Sequence, residues 1–309
     1  MALDQDVQND ISITILIVGI IFQRISIPFW IDSFGNNTNG PYFILLFSSF
    51  IFTLIFGLIK LLMGFKKNIT TISFKDFSKM YLIIGFICFL NGVFMVYSSP
   101  IDRTPPVLFL VLSNILIFYD MLLTKKILKY RNYLNYCAKK PIISICFMII
   151  SILVIIIGKI IYDTSNSSFK YISIFWICMT LIGYFFNHFY CVLFESYFSK
   201  IHKIIDTPFS KIKNYISMVY YVNLYQFVVM ILFCWIDIIP TFGYSTHTNF
   251  LNNLSNSLYC FFGCNDCNYD TSLWGISFII GYVITNLSIT FIYYYSLKVC
   301  FFNKLLENI

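Results

Sequence analysis

The sequence predicts an all-α membrane protein with about eight membrane-spanning helices, and three observations support this fold class. Hydrophobic residues make up 59% of the chain and charged residues only 11%, whereas about a quarter of a soluble chain is charged. The mean hydropathy is +0.78. Apolar runs recur along the chain, and basic residues are concentrated in alternate connections between them. We therefore expect a lipid bilayer to surround most of this protein.

Eight apolar runs have the roughly 17 to 25 residues with which a helix crosses about 30 Å of hydrocarbon. They occupy residues 11–30, 41–64, 81–98, 106–123, 141–161, 171–194, 216–240 and 273–294. The first run does not resemble a cleavable signal peptide, because Asp4, Asp6 and Asp10 precede it where a signal peptide carries basic residues. The longest connection, at about 241–271, mixes Asn, Ser and aromatic residues and is compatible with short helices along the membrane surface.

The distribution of charge predicts the orientation. Of the 21 Lys and Arg residues, 17 fall in or beside the connections after the second, fourth, sixth and eighth runs, which we therefore assign to the cytosol together with both termini. The exceptions are Arg24, Arg103, Lys159 and Lys170, and we expect Arg24 to snorkel to the interface. Residues 214–297 contain no Lys or Arg, so the connection at 241–271 is predicted to face the lumen or the exterior.

Sequons and cysteines agree with this orientation. The candidate glycosylation sites Asn36, Asn166 and Asn253 all lie in connections predicted to be lumenal. Cys260, Cys264 and Cys267 lie in the same lumenal connection as His247. Three close thiols without a fourth, in an oxidising compartment, favour a disulfide over a zinc site.

Polar side chains inside apolar runs are candidates for a substrate pathway, because they are costly in lipid unless they line a cavity or bind another helix. Hydrogen bonding between helices is the alternative for each of them. Asn223 and Gln226, three residues apart, share one helical face, and His188 either packs between helices or titrates in an acidic compartment. The candidates are Asn91, Ser113, Asn114, Asn187, His188, Asn223, Gln226 and Asn286.

The sequence does not predict an enzyme or a nucleic-acid-binding protein. It contains no Gly-x-Ser-x-Gly nucleophile, no His-Glu-x-x-His zinc site and no phosphate-binding glycine loop. His202 and Asp206 are separated by three residues rather than the four of membrane acyltransferases. The basic residues are spread over short connections and form no single patch. We expect no metal and no cofactor, and a transported small molecule as the substrate.

The order of several short motifs resembles the chloroquine-resistance transporter family of the drug/metabolite transporter superfamily. The resemblance covers nearly the whole chain. Its motifs are Leu112-Ser113, the basic and Tyr-rich Lys129-Tyr130-Arg131-Asn132-Tyr133-Leu134, Leu181-Ile182, Leu224-Tyr225-Gln226, Cys264-Asn265-Asp266-Cys267, Trp274 and Thr285-Asn286-Leu287.

This resemblance implies a ten-helix bundle of two five-helix repeats that moves solutes by alternating access. Residues 1–309 would form one transmembrane domain, with the first repeat at 1–161 and an incomplete second repeat at 171–309. Ser113 and Gln226 fall where the family lines its cavity. The family implies a vacuolar, lysosome-like or other endomembrane location, and drugs, peptides, amino acids or glutathione-like thiols as substrates, with proton coupling in the vacuolar members.

The sequence departs from the family pattern at three places. Four loop cysteines form two bridges in the family, whereas this loop has three, so Cys260 with Cys267 is the preferred pair and Cys264 is an alternative partner. A basic–acidic pair is typical at the end of the sixth helix, where this chain reads Cys191-Val192 with Glu195 one turn on. The chain ends at Ile309, where the family's ninth helix would begin. A truncated, non-transporting paralogue or assembly partner is therefore the alternative function, and the substrate, coupling ion, direction and oligomeric state stay open.

Overall fold

The computed structural model describes residues 5–34, 40–64, 74–100, 103–116, 170–204, 208–264 and 270–295, with isolated residues between 119 and 158. These residues are helical apart from their connections and contain no strand. The helices are α1 (Gln5–Asp32), α2 (Gly40–Gly64), α3 (Phe74–Ser98), α4 (Pro106–Leu112), α5 (Lys170–Ile204), α6 (Pro208–Leu232), α7 (Phe250–Phe261) and α8 (Asp270–Tyr295). Short 3₁₀ helices follow α4 at Ser113–Ile115 and α6 at Cys234–Ile238.

The all-α membrane fold predicted from the sequence is confirmed. Among the described residues, six helices are long and apolar enough to cross a bilayer, namely α1, α2, α3, α5, α6 and α8. They correspond to the first three and the last three predicted spans. The fourth span is described only in part, and most of the fifth, at 141–161, lies outside the described residues.

The bounds of the predicted spans are approximate, and several helix ends differ from them. α3 begins seven residues before Tyr81, and α6 begins eight residues before Ile216. α5 continues ten residues beyond the predicted end at Phe194, to Ile204. α6 stops at Leu232, eight residues before the predicted end at Pro240, and continues as the 3₁₀ helix. Ile239 is extended, with φ −63° and ψ 123°, because a residue that precedes proline is sterically excluded from the α region.

Side-chain contacts show how the spanning helices are oriented. Tyr42 at the start of α2 donates a hydrogen bond to the Met230 carbonyl at the end of α6, at 3.1 Å, so these helices are antiparallel. Thr271 at the start of α8 likewise donates to the Ser33 carbonyl just after α1, at 3.3 Å. The helix ends that the sequence assigns to the lumen therefore lie at one end of the bundle, which we call the Asp237 end after the residue described below.

Glycines permit the closest helix crossings. A Cβ on Gly281 of α8 would lie 2.9 Å from the Gly19 carbonyl oxygen of α1, so the two backbones pack without side chains between them. Beside this crossing, Gln23 donates from Nε2 to the Gly281 carbonyl at 3.1 Å and to Thr285 Oγ1 at 2.7 Å. The polar Gln23 is thus satisfied inside an otherwise apolar helix pair.

Arg24 packs against an aromatic ring of another helix, and its snorkelling to the interface stays a prediction. Its guanidinium carbon lies 4.9 Å from the centre of the Tyr184 ring on α5. Its Nη1 is buried and finds no acceptor among the described residues. Attraction to the aromatic face, where the ring quadrupole is negative, holds this cation against α5.

Candidate functional site

Two predicted pathway residues, one on α6 and one on α8, both form a hydrogen bond with Tyr282 of α8. Asn223 is fully buried, donates from Nδ2 to the Val219 carbonyl at 2.8 Å, and accepts a 3.1 Å hydrogen bond from the Tyr282 hydroxyl at Oδ1. Asn286 donates from Nδ2 to the Tyr282 backbone carbonyl at 3.0 Å. We call Asn223, Tyr282 and Asn286 the Asn223 cluster.

Two further predicted residues lie where α3 packs against α6. Gln226 is one helical turn beyond Asn223 and half-buried. Its Nε2 would lie 3.7 Å from a Cβ added to Gly92 of α3. The neighbour of that glycine, Asn91, has a buried Oδ1 without a hydrogen-bond donor among the described residues. Polar side chains of α3, α6 and α8 therefore lie along two adjoining helix contacts, that of α3 with α6 and that of α6 with α8.

The remaining predicted pathway residues lie on other elements. His188 is buried on α5, and its neighbour Asn187 is half-buried. Ser113 is half-buried at the 3₁₀ turn after α4, where the α-helical hydrogen-bond pattern changes. The Asn114 side chain lies outside the described residues.

Sequence reasoning missed a second polar cluster, centred on Asp237 in the 3₁₀ helix after α6. Asp237 is 0% exposed. Its Oδ1 accepts a 2.8 Å hydrogen bond from the Tyr97 hydroxyl of α3 and a 3.4 Å bond from the Tyr244 backbone N–H. Its Oδ2 is buried without a donor among the described residues.

Arg103 completes this cluster. Its Nη1 donates to the Tyr97 carbonyl at 2.8 Å and its Nη2 to the Phe242 carbonyl at 3.0 Å. The guanidinium carbon lies 3.8 Å from the centre of the Trp176 ring of α5 and 4.3 Å from that of Tyr244. We call Tyr97, Arg103, Trp176, Asp237 and Tyr244 the Asp237 cluster; it ties α3, α5 and the segment after α6 together.

Burial controls the electrostatics of Asp237. Desolvation raises the pKa of its carboxyl above the ordinary value, because the charged form loses hydration. Hydrogen bonds from Tyr97, Ser245 and Tyr244 and the positive charge of Arg103 oppose this rise. Since desolvation is the largest cause, the folded protein favours the protonated carboxyl more than the unfolded chain does.

The segment after Asp237 folds back over that residue. The Gly243 N–H donates to the Ile239 carbonyl at 2.9 Å, and the Ser245 N–H donates to the Asp237 carbonyl at 3.0 Å. A Cβ on Gly243 would overlap the Asp237 carbonyl oxygen, so a side chain cannot be accommodated there without movement. Thr241 takes the left-handed conformation, with φ +68°, which is costly for a β-branched residue. Contacts around Asp237 hold the loop in this strained form.

The sequence did contain a signal for this cluster. Asp237 is the acidic residue inside the predicted span 216–240, and an acidic residue there should have joined the candidates. Its partner Tyr97 lies 140 residues upstream, which no local pattern reveals.

The cysteine loop is described in part. Cys264 is exposed and carries a free thiol. Cys260 is buried at the end of α7. Cys267 lies outside the described residues, so its pairing with Cys260 stays a prediction.

Two of the three predicted glycosylation sites lie outside the described residues. Asn36 and Asn166 lie outside the described residues, whereas Asn253 is on α7 and donates from Nδ2 to Ser245 Oγ at 3.3 Å. Glycosylation at all three stays a prediction.

Within the described ranges, no three His, Cys, Asp or Glu side chains are grouped as metal ligands.

No known protein family, curated protein or solved structure matches the chain. The resemblance to the chloroquine-resistance transporter family therefore stays a prediction.

Proposed function

We propose that the protein is a membrane transporter of small organic solutes, resembling the chloroquine-resistance transporter family. The observation that carries this proposal is the gathering of polar side chains from α3, α6 and α8 inside the bundle. Asn223 is fully buried, and Asn91 Oδ1 is buried without a described donor. A buried amide oxygen without a donor is costly in hydrocarbon, and a polar solute would supply the missing hydrogen bond.

The Asp237 cluster supports the same function. An alternating-access transporter must seal one end of its bundle while the other is open. Arg103 binds carbonyls from two separate segments and packs against Trp176 of α5, so it closes the Asp237 end by joining elements that would have to separate. Protonation of Asp237 would alter this seal, which gives a physical basis for proton coupling.

The proposed orientation places both termini in the cytosol, in a vacuolar, lysosome-like or other endomembrane. The burial of Arg103 supports it, because a cation bound to backbone carbonyls has a structural reason to depart from the charge bias. In this orientation the Asp237 end faces the lumen, where a bond between Cys260 and Cys267 would form and where the sequons could be modified.

Transport is tested by reconstituting the purified protein into liposomes and measuring uptake of labelled cationic and peptide-like solutes under an imposed pH gradient. We expect Gln226→Leu to reduce the initial rate at least about tenfold, because losing a hydrogen bond to a bound substrate costs about 1.5 kcal/mol or more. Ser277→Ala is the matched control, since Ser277 is exposed on α8 and bonds only to its own helix. No uptake of any tested solute by folded, inserted protein would overturn the proposal and favour the non-transporting alternative.

A further inference from the structure

Apolar side chains lie on two faces of α7, and only one face is packed against the bundle. On the packed face, the Phe250 ring lies 5.3 Å from that of Tyr42. The other face carries the exposed side chains of Leu251, Leu258 and Tyr259, and it continues to Phe262 just after the helix. Their spacing of seven, one and three residues places them on one helical stripe, which we call the outer stripe. Phe262 is 66% exposed and Leu258 is 42% exposed.

The C-terminal end of α7 lies deeper in the bundle than the ends of the spanning helices at the Asp237 end. The Phe261 ring is 4.6 Å from that of Phe47, which is seven residues into α2 and so about 10 Å along its axis. Phe261 also occupies a notch at Gly275, five residues into α8, where an added Cβ would lie 2.6 Å from the ring. Tyr42, the partner of Phe250, is only two residues into α2. α7 therefore descends toward its C-terminus.

The spanning helix α8, which contacts α7, also exposes apolar side chains. Leu273, Ile276 and Ile280 are exposed on α8, whose early turns lie at the depth reached by Phe261. In a bilayer these α8 side chains contact lipid. The region is also free of basic charge, since residues 214–297 contain no Lys or Arg. The outer stripe thus resembles an interfacial helix face but lacks the cations that bind anionic headgroups.

We propose that the outer stripe of α7 is a lipid-binding surface that inserts into the boundary between headgroups and acyl chains, deepest at Leu258 and Phe262. The partner is lipid without a requirement for negative charge. Tyr259 suits this depth, because tyrosine places its ring in the apolar layer and its hydroxyl among the headgroups. Gly263, at φ +72°, turns the chain at the deep end of the helix. This inference does not depend on transport.

The test places p-benzoyl-phenylalanine, a photoreactive amino acid, at Leu258 or Phe262 of the full chain in phosphatidylcholine liposomes. Illumination and intact-mass measurement then give the fraction of protein bonded to lipid. Leu273 is the positive control on α8, and Asn252, exposed on the same side of α7 but in its shallow first turn, is the control for depth. Both test positions are exposed, so an apolar probe there should leave the fold intact. Circular dichroism of each variant checks that the helical content is unchanged.

We expect lipid adducts at Leu258 and Phe262 within about threefold of the yield at Leu273, and at least about fivefold above Asn252. Yields at both positions equal to Asn252, with Leu273 still reacting, would overturn the proposal. So would a predominance of cross-links between two protein copies, which would make the stripe an oligomer interface. Replacing about a third of the lipid by phosphatidylserine should leave the yields unchanged within about twofold, and a larger increase would contradict binding without negative charge.

A second variant tests the insertion of the C-terminal turn. In Gly275→Ala the new methyl group would lie 2.6 Å from the Phe261 ring and 2.7 Å from the Trp30 ring, so the end of α7 that carries Phe261 should be pushed outward. The adduct yield at Phe262 is expected to fall at least about twofold, while that at Leu273 is retained. An unchanged yield at Phe262 would show that this notch does not set the depth of α7.

Discussion

Replacing Asp237 by Asn tests the electrostatics of the Asp237 end. The amide retains the shape of the carboxyl, and its Oδ1 can still accept hydrogen bonds from Tyr97 and from the Tyr244 N–H. The substitution removes the proton equilibrium. Any difference in pH dependence between the two proteins therefore reports the protonation of this one group.

The sign follows from the raised pKa of Asp237. The folded protein binds the proton more tightly than the unfolded chain, so the contribution to stability is complete below the unfolded pKa of about 3.9 and is lost as pH rises through the folded pKa. Because one proton is involved, the free energy of unfolding falls by at most about 1.4 kcal/mol per pH unit in that interval. The Asp237→Asn variant lacks this loss, so its free energy of unfolding increases relative to that of the wild type as pH rises.

The assay is unfolding in detergent micelles, monitored by tryptophan fluorescence, from about pH 4 to about pH 8. Trp176 lies in the Asp237 cluster and reports on it locally. Asp32→Asn, which removes an exposed carboxyl at the end of α1, is the control and should retain the wild-type profile. Identical pH profiles for wild type and Asp237→Asn would refute the argument, as would a loss of stability in the variant that grows as pH rises.

Three further substitutions test individual contacts by the same unfolding measurement. Gly243→Ala should destabilise the protein by about 3 kcal/mol or more, because its Cβ would overlap a backbone oxygen. Gly64→Ala is the control and should have little effect, since no atom lies within 4 Å of its Cβ. Equal effects of the two substitutions would contradict the loop geometry. Arg103→Lys should cost about 1 to 3 kcal/mol, since an ammonium cannot bind two carbonyls and stack between rings in the same way, and an unchanged midpoint would count against its joining role. Tyr282→Phe should cost about 1 kcal/mol by leaving Asn223 Oδ1 without its donor, and a stabilised variant would argue against this hydrogen bond.

The spanning helices were predictable because the bilayer imposes both their length and their apolar composition. The ends of these helices were harder to predict. α5 extends through Glu195 to Ile204, since a helix that leaves the hydrocarbon need not stop there. α6 stops early because its end depends on Pro240 and on the fold around Asp237, which hydropathy does not register.

The residues of the polar clusters were likewise predictable only in part. Asn223 and Asn286 stand out as amides in apolar runs, so the sequence identified both, yet their link through Tyr282 depends on how α6 meets α8. Arg103 was noticed only as an exception to the charge bias. Its role depends on Phe242, 139 residues later in the chain, and on the position of Trp176. Such pairings follow from helix packing and leave no trace in local spacing.

The crossing of α1 and α8 has a consequence for synthesis of the protein. The hydrogen bond from Gln23 to the Gly281 carbonyl spans 258 residues. At roughly 5 to 20 residues per second, translation takes about 13 to 50 s to travel from one partner to the other. During that time α1 is already made, but its glutamine has no native acceptor. The first helix is therefore made well before its native acceptor, and the contact of α1 with α8 closes only when α8 emerges.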